Sequence, residues 1–206
     1  MSQLHRAGAV VIAFSLGMFG PAAASAQVGA SDIAIGKSAS QSSNYDSGGH
    51  FAGAAIDGNT DGAYADGSIT HTNADYRGWW MVDLGGDFNI NSITLWNRTD
   101  CCGERLFDFY VSVLASGTVA PEGYDAATVW SQLNAGGVGT SATFTPTAGT
   151  AGRYVKVQYH NRGDYLQLAE VDVEGAAVVA TPEPASLLLV ATGLVGGVLV
   201  RRRRRA

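Results

Sequence analysis

The chain has 206 residues, 18 acidic side chains against 13 basic ones, and a formal net charge of −5. Over residues 27–180 the balance is seven basic to seventeen acidic, near −10. That speaks against nucleic acid, whose affinity comes from neutralised phosphates, and against anionic lipid surfaces.

Residues 1–26 have the layout of a secretory signal. His5 and Arg6 give a short basic start, Ala7 to Phe19 an apolar run, and Ala24-Ser25-Ala26 the small residues of a cleavage site, so the mature chain is expected to begin at Gln27. The apolar run is short for a core about 30 Å thick, which argues against a permanent span. From there to the tail lie roughly 150 residues, enough for one domain with its own core.

Glycines and Asn/Asp/Ser/Thr clusters interrupt short apolar runs throughout 27–175, the pattern of an all-β domain. Several runs alternate. Ile93, Leu95 and Asn97 oppose Ser92, Thr94 and Trp96; Phe107, Phe109, Val111 and Val113 share one face; Val155, Val157 and Tyr159 oppose Tyr154, Lys156 and Gln158; Leu166, Leu168 and Glu170 form a further row. Period two marks half-buried strands. Trp80, in line with Val82 and Leu84, is expected in the core. No segment gives a convincing amphipathic helix, and Tyr124 to Leu133 reads as loop plus strand. Short strands with regular turns favour a sandwich or jelly roll.

The informative region is His71 to Leu106. Twenty-six residues, 72–97, separate His71 from Arg98; then come Thr99, Asp100, Cys101-Cys102-Gly103-Glu104 and Arg105. This His–Arg-x-Asp–Arg spacing resembles the signature of the F-type lectin (fucolectin) family, within the discoidin-like group. Lys37 to Ser42, Ala55-Ile56-Asp57-Gly58-Asn59, Trp79 to Gly85 and Leu166 to Val171 follow in family order. The resemblance covers 33–175 and implies a single discoidin-like jelly-roll β-sandwich that binds terminal L-fucose. His71, Arg98 and Arg105 would read the 3-OH, 4-OH and ring oxygen. Two guanidiniums and an imidazole supply the directed hydrogen bonds that a neutral sugar requires. Asp100 is expected to hold and neutralise both arginines through charge-assisted bonds. Tyr64, with Tyr45 as a second wall, is expected to face the C6 methyl. Asp46 to Gly53 is shorter than in better-known members, Ala65 stands where a second aromatic would, and Asp66 replaces a possible polar contact. His50 reads as a solvated loop residue, with a place on the pocket rim as the alternative.

Cys101 and Cys102 are the only cysteines. Oxidation is expected in an exported chain, although adjacent Cα atoms stand about 3.8 Å apart, below the usual disulfide range, and two reduced thiols in a turn remain an alternative. By the resemblance, the bonded pair would pack against the C1–C2 edge of the sugar.

Asp57-Gly58-Asn59-Thr60-Asp61-Gly62 looks like the start of an EF-hand loop, but the twelfth position is Ser68 rather than glutamate, so that reading is poor. The resemblance instead implies a structural Ca²⁺. Its ligands would be the carbonyls of Ala54, Asn59 and Ala169, the Asp57 and Glu170 carboxylates, and the Ser68 carbonyl and hydroxyl; such oxygens suit Ca²⁺. Asp61 reads as a turn residue only.

Catalysis is not expected, because the motif region offers only Asp100 and Glu104 as a carboxylate pair and nothing resembles a nucleophile elbow. The competing reading is a discoidin-like matrix or adhesion module that binds protein or another polysaccharide. Modest single-site affinity suggests an oligomer or surface display for avidity.

Ala176 to Thr181 reads as a linker. Residues 182–206 then carry Pro182-Glu183-Pro184, an uncharged run Ser186 to Val200 expected as an apolar helix, and Arg201 to Arg205. This tail resembles the PEP-CTERM sorting signal. It implies transient anchoring in the inner membrane, with the arginines in the cytoplasm, cleavage by an exosortase, and a secreted, cell-surface or matrix location in a Gram-negative bacterium.

Overall fold

The computed structural model describes residues 31–117 and 128–178. The expected signal segment 1–26 and sorting tail 182–206 lie outside the described residues, as do Tyr124 to Ala127. Nine strands form among the described residues: β1 Ser38–Gln41, β2 Ala74–Tyr76, β3 Trp79–Trp96, β4 Phe107–Leu114, β5 Thr128–Gly137, β6 Ser141–Phe144, β7 Ala151–Tyr159, β8 Gly163–Tyr165 and β9 Glu170–Ala177. The only helical turns among the described residues are short 3₁₀ segments at Ala52–Ile56, Tyr64–Asp66 and Gly103–Arg105.

The long strand β3 joins two layers. Its first part pairs with β1 and β7, extending the order β1-β3-β7-β4-β5. Its last part, Ile93 to Trp96, lies between β6 and β9. The change falls between Asp83 and Phe88, where the register against β7 shifts. Gly85 sits there at φ 84°, a left-handed conformation that a Cβ would strain, and a bend of this kind lets one strand serve two layers.

The alternating runs supply the core as expected. Trp80, Val82, Ile93, Leu95, Phe109, Val111, Val113, Val155, Val157, Val171 and Val173 are fully buried. Burying each large side chain contributes about 1.5–3 kcal/mol. Trp80 also satisfies its one polar atom, since its indole N–H donates to the Ala52 carbonyl at 2.9 Å.

Four sequence expectations about the strands are corrected. Phe107 does not share the burial of Phe109 and is 38% exposed, because the ladder slips between the two and Asp108 takes φ 50°. Lys156, expected on an open face, is buried with its ammonium 5.4 Å from the Trp79 ring centroid. Leu166 to Leu168 are buried but precede the strand, and their backbone bonds Thr70 and Thr72. Ala176 and Ala177, expected in the linker, complete β9 opposite Asn89 and Phe88.

Candidate functional site

The segment from Asn97 to Leu106 leaves β3 and returns as β4. Asn97 is buried and organises it. Its Nδ2 reaches the carbonyls of Gly103, Val138 and Gly139 at 2.9–3.1 Å, and its Oδ1 accepts the Arg98 N–H at 2.8 Å. On the other side, Thr99 N–H donates to the Gly62 carbonyl at 3.0 Å. A Cβ on Gly62 would stand 2.7 Å from the Asn97 carbonyl oxygen, so only glycine allows that approach. Arg98 therefore leaves a backbone tied on both flanks.

Arg98, Arg105 and His71 converge, as the family resemblance implies. With Tyr45, Tyr64 and Tyr165 they line one hollow of about 360 Å³, at the small end of ligand pockets and suited to a single sugar ring. Arg98 lies over the Tyr64 ring at 4.8 Å and Arg105 over the Tyr165 ring at 5.1 Å. The Tyr45 and Tyr165 rings flank His71 at 4.4 and 5.3 Å between centroids. The hollow is thus walled by aromatic rings, and its two guanidiniums can only donate.

Asp100 holds Arg98 bidentately, with Oδ1 2.6 Å from Nε and Oδ2 3.1 Å from Nη2. The guanidinium keeps the Asp100 carboxyl down at about 2. The expectation that Asp100 serves both arginines is corrected: Arg105 faces Asp164 at 3.9 Å, and Asp164 also pairs with Arg162. The Arg105 carbonyl is fixed from the core by the Tyr159 hydroxyl at 3.0 Å and by Arg162 Nη1 at 2.6 Å. Each arginine has its own carboxylate because the turn between them carries their side chains to different neighbours.

His71 is buried, and Nδ1 points at the Thr72 carbonyl at 2.9 Å. A carbonyl only accepts, so Nδ1 carries the proton and Nε2 is an acceptor. Gln167, also buried, brings its Nε2 to that atom at 2.7 Å. Burial, reinforced by the nearby cations, pushes His71 below the usual histidine range, and the Thr72 bond opposes this only in part. Neutral His71 therefore offers the hollow an acceptor between two donor arginines.

His50 is not solvated. It is 5% exposed, stacks on Tyr64 at 3.9 Å between ring centroids, and donates from Nε2 to the Tyr64 carbonyl at 2.9 Å. Asp46 completes the wedge: its Oδ2 accepts the Tyr64 hydroxyl at 2.6 Å, and its Oδ1 faces His50 Nδ1 at 3.1 Å. The Tyr64 bond, then the His50 bond, hold Asp46 down at about 2. The i, i+4 spacing of Asp46 and His50 is the one sequence signal for this support. Tyr165, which lines the hollow, and the supporting Asp164, Gln167 and Asp46 were not singled out from the sequence.

Cys101 and Cys102 are disulfide-bonded, with Cα atoms 3.8 Å apart and Cys102 at φ 60°. Asp100 Oδ1 accepts the Cys101 N–H at 2.9 Å, so one carboxylate steadies both the guanidinium and the disulfide turn. The pair stands beside the hollow rather than in its lining.

The loop after Ala54 is a chain of side-chain-capped turns. Asp57, Asn59 and Asp61 each accept the N–H two residues on at 2.9–3.1 Å, which matches the turn role expected of Asp61. The Ser68 hydroxyl donates to the Asp61 carbonyl at 2.5 Å. Glu170 crosses from β9, and its Oε1 accepts the Gly58 N–H at 3.1 Å. Its Oε2 is buried without a partner. Burial, more than the neighbouring acids, pushes Glu170 up to about 7. A fully buried carboxylate with an orphan oxygen, beside a loop rich in oxygen donors, fits a hard cation such as Ca²⁺.

This architecture defines a discoidin-like β-sandwich with a cationic, tyrosine-walled hollow at one end of β3. Residues 54–157 match the model of the NedA-like, galactose-binding domain family, and residues 180–205 match the PEP-CTERM protein-sorting motif. Fucolectin of Anguilla anguilla is 39% identical over 123 residues, covering 58% of this chain and 73% of its own. Fucolectin-6 of Anguilla japonica is 39% identical over 120 residues, and the match spans 58% of this chain and 60% of that relative's length. A fucose-binding module of Streptococcus pneumoniae superposes with a TM-score of 0.62 at 33% identity, covering 71% of this chain and 96% of that one. The chain belongs to the fucolectin family and carries a PEP-CTERM sorting motif.

Proposed function

We propose that the protein is a non-catalytic lectin that binds terminal L-fucose on glycans or exopolysaccharide. The observation that carries this reading is the convergence of Arg98, Arg105 and His71 on a single hollow walled by Tyr45, Tyr64 and Tyr165. A pyranose presents hydroxyls and a ring oxygen on one side and C–H edges on the other. The arginines donate to its oxygens, and the neutral imidazole accepts from one hydroxyl in place of Gln167. A ring oxygen has no proton to give, so it falls to the arginines. The tyrosines, Tyr64 foremost, receive the apolar C6 methyl, and the Cys101–Cys102 pair packs on the far edge of the ring. Relatives named for fucose, and one titled as a fucose-binding module, support the choice of sugar.

Absence of catalysis is supported by the carboxylates around the hollow. Asp100 and Asp164 are each committed to an arginine, whereas glycoside hydrolysis needs two carboxyl groups free to flank the bond. Ca²⁺ is the cofactor in this reading, held by the carbonyls of Ala54, Asn59 and Ala169, by Asp57, by Ser68 and by Glu170. When bound it ties the loop leading to His71 onto β9. The PEP-CTERM match supports export to the cell surface of a Gram-negative bacterium, with exosortase processing of the tail; display there provides the multivalency that one weak site per chain requires.

The test is calorimetric titration of the protein with L-fucose, with D-galactose and Arg98→Ala as controls. Saturable fucose binding that is lost in a folded Arg98→Ala variant is expected. No binding by the oxidised, calcium-loaded protein would refute the lectin reading and favour a matrix or adhesion module.

A further inference from the structure

A second acidic centre lies where the chain enters the domain. Asp32, fully buried Glu170 and Asp172 bring one carboxylate oxygen each to within 4.8 Å of one another. Two ligands on opposite sides of a Ca²⁺ ion stand about 5 Å apart, given bonds of roughly 2.3–2.6 Å, so this spacing suits a shared ion.

The three carboxylates are held in one common way. Asp32 Oδ1 accepts the N–H groups of Ala34 and Val173, both at 2.9 Å. Glu170 Oε1 accepts from Gly58 at 3.1 Å, and Asp172 Oδ2 accepts the Trp96 indole N–H at 2.7 Å. In each case one oxygen is anchored by a neutral N–H donor. The opposite oxygens of Asp32 and Glu170 are buried with no partner. No ion pair found among the described residues involves any of the three. Neutral donors orient a carboxylate without consuming its charge, which is how outer-shell groups prepare metal ligands.

We propose that Asp32, Glu170 and Asp172 bind a hard divalent cation of the Ca²⁺ or Mn²⁺ type, at a site separate from the Ala54–Ser68 loop and sharing with it only Glu170. The donors are all carboxylate oxygens, without thiolate or imidazole, which selects against Zn²⁺ and Cu²⁺. Asp32 precedes β1 and pairs in an isolated bridge with Glu174 of β9, so the ion clamps the entry of the domain to its last strand. The shared Glu170 makes this inference adjacent to the calcium reading above, but different residues decide it.

The test uses Ca²⁺ calorimetry together with Tb³⁺ luminescence sensitised through Trp96, whose indole touches the site. Asp32→Asn and Asp172→Asn keep the oxygens that accept the anchoring N–H bonds, so folding is retained; near-ultraviolet circular dichroism checks this, and each single variant serves where the double one fails to fold. The wild type is expected to hold two Ca²⁺ ions. The double variant should hold one and lose at least tenfold of the sensitised emission, and Asp57→Asn should also hold one but keep that emission. Full stoichiometry and emission in the folded double variant would overturn the proposal. So would a single wild-type ion abolished by Asp57→Asn. Loss of the ion only in Asp57→Asn bears on the loop site, and loss only in the Asp32/Asp172 variants bears on the triad.

Discussion

Removing Asp100 tests how the hollow is organised, because this carboxylate touches the guanidinium and not the space a sugar would fill. In Asp100→Ala, Arg98 loses partners at 2.6 and 3.1 Å and the Cys101 N–H loses its acceptor. Hydrogen bonds to charged groups contribute about 1.5–3 kcal/mol each when shielded. The Asp100 side chain is 37% exposed, and solvent screening brings exposed pairs down to about 1 kcal/mol or less. The Arg98 side chain is only 9% exposed, so an intermediate total of about 1–2 kcal/mol is reasonable. It is lost from binding because a freed arginine must be ordered again by the sugar. That corresponds to a roughly 5–30-fold rise in Kd for L-fucose, with an unfolding midpoint close to wild type. Asp100→Asn, which keeps one acceptor oxygen, should fall between the two. Calorimetric titration gives the affinities and denaturant unfolding gives the stability. A Kd within twofold of wild type in a folded Asp100→Ala protein would refute the argument that Arg98 is preorganised by this pair.

Acid should act through the same group. Asp46 and Asp100 are each held at about 2, below the ordinary 3.8. Their contributions are thus complete above the ordinary value and fade as pH falls through about 4 towards 2, and fucose binding measured against pH should follow; a loss centred near 6.5 would contradict a neutral, shielded His71. Chelation of calcium should lower the melting temperature, since an ion at 100 times its Kd stabilises by about 2.7 kcal/mol; an unchanged melting curve would exclude a structural cation. Reducing the Cys101–Cys102 bond should cost little stability, because it closes almost no loop, yet should weaken fucose binding. Thiol labelling before and after reduction, followed by unfolding and titration, checks both parts.

The strand pattern was legible because burial in a sandwich writes itself as period two, and Trp80, Phe109, Val111, Val155 and Val157 all landed inside. His71, Arg98 and Arg105 were legible through spacing. Tyr165 and Gln167 were not, although they sit beside the recognisable Leu166 and Leu168. Their role depends on the distance from His71 across the fold, 94 and 96 positions along the chain, which no local period encodes. Lys156 misled for a related reason: alternation assigns a face, but only the packing of Trp79 against it says that this face is covered. His50 read as a loop residue because Asp46-Ser47-Gly48-Gly49 leads into it; its burial comes from stacking on Tyr64, fourteen residues later.

The bridge between Asp32 and Glu174 has a consequence for timing. The domain closes by bringing its first and last described segments together, and the hollow draws on residues from Tyr45 to Tyr165. Pairings of such long reach form late and slowly. A chain still emerging, or threaded unfolded through a membrane, carries Arg98 and Arg105 but no recognition surface. The hollow exists only once segments from Tyr45 to Tyr165 have come together.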